Sequence, residues 1–272
     1  MDPLELVRGI APPVLVALAL ISAGGNRLLP LALGVGFALA FILLTRDWPT
    51  LPHVLWSAPN GKQWLFWGVV GALLVAALEH WRCLPVRVGL WLGIAVGVAA
   101  VWFLLSKLAH AETLAWRVVH VGGGGLAVGA LVWTQRRLIG RSESSPFFPV
   151  FALAILIVDA VVVTLGRSAL YGQICGALAA GLGAAIGTCL WRKPFTMGVA
   201  DGTWLGAAHG LFLLAAVHLA YLTWPAALLT AIAPVLPLML PQSFAKERPK
   251  RWMLVALTLA GLPAAGAIAL SA

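Results

Sequence analysis

Residues 147–166, FFPVFALAILIVDAVVVTLG, and residues 168–190, SALYGQICGALAAGLGAAIGTCL, are two apolar runs of membrane-spanning length divided by Arg167 alone. A hydrocarbon layer about 30 Å thick is crossed by about 20 apolar residues as a helix, which satisfies its backbone groups without water. One carboxylate, Asp159, sits inside the first run, where an ionisable group costs about 2.5–3.5 kcal/mol and so faces a partner or a cavity. The second run carries Gly172 with Gly176 and Gly183 with Gly187, small residues four apart that mark close helix contacts.

Working outward, the same pattern fills the chain of 272 residues. Runs at 9–24, 28–45, 63–80, 86–106, 112–134, 199–222, 224–241 and 252–270 join the two above, about ten in total. The first is short, carries Pro12 and Pro13, and is parted from the second by Gly24, Gly25, Asn26 and Arg27, so a tight hairpin or an interfacial segment fits almost as well. Pro234 and Pro237 should kink or break the ninth. Composition agrees: apolar side chains make up 61% before any of the 29 glycines is counted, whereas soluble domains reach about 45–50% with glycine included. The expected fold is an all-α polytopic transmembrane bundle of about ten spans, nine if the first does not cross, forming one integral membrane domain over 1–272 with no soluble domain. The second glycine-paired run is the expected central helix.

The net charge of +9 is spread between the apolar runs in small groups, a topology signal instead of a nucleic-acid stripe. Arg27, Arg82, Arg87, Arg136, Arg137, Arg141, Arg192, Lys193 and the Lys246, Arg248, Lys250, Arg251 cluster fall on one side; Arg8, Arg46, Lys62, Lys107 and Arg167 fall on the other. Positive residues gather on the cytoplasmic face, which places both termini outside an inner (plasma) membrane. The 246–251 cluster is expected to touch anionic headgroups, and no nucleic-acid partner is expected. The amino terminus lacks the basic opening of a signal peptide. Trp48, Trp56, Trp64, Trp67, Trp81, Trp191 and Trp224 lie near span ends as interface anchors, and residues 46–62 are expected to lie flat on the surface. Cys83, Cys175 and Cys189 form no C-x-x-C pair, and neither H-E-x-x-H nor G-x-S-x-G occurs, so no enzyme is expected.

Intramembrane chemistry then rests on Arg117, His120, Asp159, His209 and His218. With spans five and six as neighbours, Asp159 would face Arg117 and His120 about 12 Å below the outer boundary, with Gln173 and His218 nearby. That arrangement describes an outward-opening polar cavity, and the chain reads as a transporter or permease-like protein for a small solute or protons. The plain reading is one structural Arg–Asp pair plus interface histidines, in a non-catalytic subunit packing against a membrane partner or its own copy. A third reading places haem b between His120 and His209; otherwise no cofactor or metal is expected. His209 and His218, nine residues apart, face opposite sides of their helix. Glu79 is expected to pair with Arg82, His80 to act as an interface anchor, and Asp201 to complement the helix dipole at the start of span eight.

Overall fold

The computed structural model describes residues 3–49, 60–141, 147–166, 168–189, 196–239 and 268, and all regular structure among them is helical. In chain order the helices are α1 (Pro3–Gly24), α2 (Leu29–Thr45), α3 (Gly61–His80), α4 (Val86–Ala111), α5 (Leu114–Gly140), α6 (Phe147–Leu165), α7 (Ala169–Cys189), α8 (Asp201–Leu219) and α9 (Trp224–Ile232). Within α5 the stretch Arg117–Gly122 is wound as a π-helix, an overwide turn that shifts the register of everything before it.

Among the described residues seven segments are long and apolar enough to cross a membrane, against about ten expected over the whole chain. Two reasons account for the difference among described residues. The first two expected spans belong to one apolar stretch, Val7–Thr45, which folds back on itself at Gly25. Gly25 adopts φ +66°, a left-handed conformation open to glycine. Gly9 then meets Leu44, and Gly36 lies so close to Pro13 that a Cβ there would stand 2.7 Å from its Cα, as in an antiparallel pair. The expected ninth span yields only the nine residues of α9, about 13 Å of helix against a layer of about 30 Å. Beyond it come a turn around Pro234 and a 3-10 turn, Leu236–Met239. The tenth span lies outside the described residues except for Ile268, which packs against the core. Lys246, Arg248, Lys250, Arg251, Trp56, Trp191 and most of the 46–62 loop also lie outside them.

The central helix is α8, not the glycine-paired α7. All residues from Asp201 to Ala216 are buried, because α3, α4, α5 and α6 surround the helix. Its closest neighbour is α5, and the cause is a row of glycines four apart. A Cβ on Gly202 would lie 2.5 Å from the Arg136 backbone nitrogen, one on Gly206 2.6 Å from the Leu131 carbonyl, and one on Gly210 2.9 Å from Val128 Cγ2. Backbones in such contact leave no room for any side chain, which is how membrane helices associate without a hydrophobic drive. The glycines of α7 serve a side-wall helix instead: Gly172 and Gly176 pack on Ala160 of α6, Gly183 lies 3.8 Å from Leu153, and Gly187 meets nothing within 4 Å. Trp64 is likewise no interface anchor; it is buried and stacks on Phe103 at 4.2 Å.

Glu79, Arg136 and Asp201 meet at one end of the bundle, where the α1–α2 turn also reaches the α7–α8 connection through Asn26 Nδ2 donating to the Thr196 carbonyl at 3.2 Å. Arg27, Arg82, Arg87, Arg137 and Arg141 lie there too, so we call it the arginine-rich end. Trp116, His120, His218 and Trp224 gather at the opposite end.

Candidate functional site

Polar groups meet α8 at three levels. At 1.5 Å per residue, His209 lies about 12 Å along the helix from Asp201 and about 13.5 Å from His218.

At the arginine-rich end, Arg136 is 5% exposed and grips Glu79 with a two-pronged pair, Nη1 donating to Oε2 at 2.7 Å and Nη2 to Oε1 at 2.9 Å. Nη1 also donates to Thr203 Oγ1 at 2.6 Å and Nη2 to the Val86 carbonyl at 2.8 Å. Glu79 therefore pairs across 57 residues of sequence with Arg136, not with the adjacent Arg82. Glycines make this possible: Gly89 abuts the Glu79 carboxylate and Gly93 abuts Thr203, while Gly202 admits the Arg136 backbone. His80, rotated about 100° from Glu79 on its helix, addresses a different group. Its Nε2 stands 3.1 Å from Asp201 Oδ2, within ion-pair range but without hydrogen-bond alignment. Asp201 accepts from the Gly198 amide at 2.8 Å and the Trp204 indole at 3.1 Å, so it ties down the preceding turn and His80 in addition to sitting at the positive end of α8. Beside Arg136, Gln135 is fully buried, and among the described residues neither amide atom is bonded.

At mid-depth, Asp159 and His209 are both 0% exposed, and His209 Nδ1 lies 2.8 Å from each carboxylate oxygen. Against an ionised carboxylate Nδ1 donates, and against a protonated one it accepts; in both cases Nε2 is the ring position turned away from Asp159. Nε2 is buried and, among the described residues, has no partner. Cys175 packs close by, its Sγ 3.6 Å from the Leu156 carbonyl.

At the opposite end, His120 and His218 face each other edge to face, ring centroids 5.1 Å apart. Trp116 stacks on His120 at 4.5 Å, and Trp224 stands 5.6 Å from His120 and 5.5 Å from His218. The π turn of α5 presents Trp116 and His120 together on this side. His120 Nδ1 and His218 Nε2 are buried and unbonded.

The expected cluster is thus divided between two levels. Asp159 is held by His209, while His120 belongs with His218; α5 packs chiefly on α8 and α4, and α6 on α7. Arg117 is half-buried on the π turn. Gln173 lines a separate, almost wholly apolar groove of about 350 Å³ with Glu5, Ala160 and Thr164. His120 and His209, the pair weighed for haem, each face a different side chain, and Trp116 covers one face of the His120 ring. Among the described residues no three His, Cys, Asp or Glu side chains converge as metal ligands.

The sequence offered signals for what was missed. Gly202, Gly206 and Gly210 at intervals of four announce the α5–α8 contact, and that contact carries Arg136 to the level of Glu79 and Asp201. The Asp159–His209 pairing has no comparable signature, because it depends on which helix stands beside α6. Comparison with protein-family models, curated proteins and solved structures gives no match to this chain.

Proposed function

We propose that this chain is a multi-pass membrane protein that moves protons, or a small solute coupled to protons, along α8. Its arginine-rich end would face the cytoplasm of a plasma membrane. The observation carrying the reading is the Asp159–His209 pair, fully buried with the outer ring nitrogen bare. Buried polar atoms without partners are costly and rare in a finished fold, so they mark places where water or a transported species binds. Among the described residues similar unbonded atoms recur above and below: the Gln135 amide at one end, His120 Nδ1 with His218 Nε2 at the other. Gaps of about 12 and 13.5 Å exceed a single proton hop, so water would have to enter between stations. An ionised Asp159 beside a neutral His209 carries one negative charge, and taking up one proton, on either partner, neutralises the pair. Glu79–Arg136 stands apart from the path, as its four hydrogen bonds engage four of the five guanidinium donors. Conduction, not catalysis, is the assigned activity.

Purified protein in liposomes loaded with a pH-reporting dye tests this. Under an imposed potential the wild type should acidify the lumen, and Asp159→Asn and His209→Gln should each slow it at least tenfold while keeping helix content and a monodisperse elution profile. Equal fluxes in empty, wild-type and variant vesicles would refute proton movement and favour a non-catalytic assembly subunit. A Soret band in the purified protein would revive the haem reading.

A further inference from the structure

Beside the first turn of α4 lies an open pocket of about 450 Å³ lined by Arg87, Trp133, Arg136, Arg137, Arg141 and Val199 among others. Arg136 forms its fixed floor, neutralised by Glu79. Arg87, Arg137 and Arg141 remain, and among the described residues no carboxylate lines the pocket. Arg137 and Arg141 stand at the end of α5, where cations complement the negative pole of the helix dipole, so their presence has a local explanation. Arg87 does not. It lies in the first turn of the 26-residue α4, at the positive pole, where a cation is disfavoured unless an anion is held there too. Arg137 is braced against the Trp133 ring, 4.7 Å from its centroid, and Arg141 is tied by Nη1 to the Leu238 carbonyl at 3.1 Å. Both keep further donors for a ligand, since a guanidinium carries five.

We propose that this pocket binds a phosphate group through Arg87, Arg137 and Arg141, with the free amides of the α4 amino terminus contributing. Guanidinium forks match phosphate oxygens in pairs, and a helix amino terminus favours the same charge. The phosphate belongs to an anionic lipid headgroup or to a soluble phosphate; the chemistry of recognition is shared. The pocket is separate from the α8 pathway and does not depend on it.

Native mass spectrometry of purified protein titrated with phosphatidylglycerol or phosphatidylcholine, and thermal shifts with inorganic phosphate, test the site. Arg87→Gln/Arg137→Gln is compared with Arg27→Gln/Arg82→Gln, which removes equal charge from the same end outside the pocket. About fivefold weaker binding per pocket arginine is expected, equivalent to about 1 kcal/mol each, with the control unchanged. Arg87→Lys keeps the charge but loses the fork, and should fall between wild type and the double variant. Loss confined to phosphatidylglycerol identifies a headgroup; loss of a phosphate-induced shift identifies a soluble ligand. If pocket and control variants weaken binding equally, or neither ligand distinguishes Arg87→Lys from wild type, the site is overturned.

Discussion

The two ends of α8 hold polar side chains by opposite means. At the arginine-rich end, charge is matched with charge: Arg136 is clamped by Glu79, Thr203 and the Val86 carbonyl, and Asp201 by Gly198, Trp204 and His80. At the other end, His120 and His218 are held by ring contacts with Trp116 and Trp224, and their inner nitrogens remain unbonded. A clamped ion pair fixes one geometry and resists any change of protonation. A pair of imidazoles in an aromatic box tolerates ring rotation and can take up or give up a hydrogen bond. The first end is built to lock helices, the second to respond.

If that contrast holds, variants at the two ends should differ in kind. The largest effect is expected for Glu79→Gln, which leaves the buried Arg136 guanidinium without its counter-charge and should cost about 3–5 kcal/mol, measured by thermal unfolding of the purified protein. Thr203→Val keeps the shape but removes one charge-assisted hydrogen bond, for a loss of about 1.5–3 kcal/mol in the same assay. Gly206→Ala should cost about 1–3 kcal/mol, since its methyl would stand 2.6 Å from α5 backbone atoms. Gly122→Ala, with helical φ of −64° and nothing within 4 Å, should be neutral or slightly stabilising. The effect of His218→Phe should be similarly small, under about 1 kcal/mol, because it retains an aromatic ring among aromatic rings. A His218→Phe loss matching that of Glu79→Gln would erase the distinction between a locking and a responsive end.

Much of the architecture was legible in the chain because membrane-spanning length is a property of contiguous residues. The runs at 63–80, 86–106, 147–166 and 168–190 became α3, α4, α6 and α7 with ends displaced by a few residues. Neighbour relations are a different matter. Placing Arg117 and His120 opposite Asp159 assumed that helices adjacent in sequence are adjacent in space, yet α5 is drawn to α8 by the Gly202, Gly206, Gly210 row. Hydropathy could not decide whether 9–24 spans, turns tightly back on 28–45 or lies at the interface; the left-handed turn at Gly25 and the fit of Gly36 to Pro13 set it antiparallel to α2. Proline explains the short α9, where the expected break near Pro234 falls just after Ile232.

The glycine row also has a mechanical side. Two rods touching backbone to backbone over about two turns cannot slide or roll past one another, so α5 and α8 must travel as a single piece. Any opening of the molecule has to part some other seam, and the one that Asp159 and His209 stitch together, between α6 and α8, is where a hydrogen ion could act as the latch.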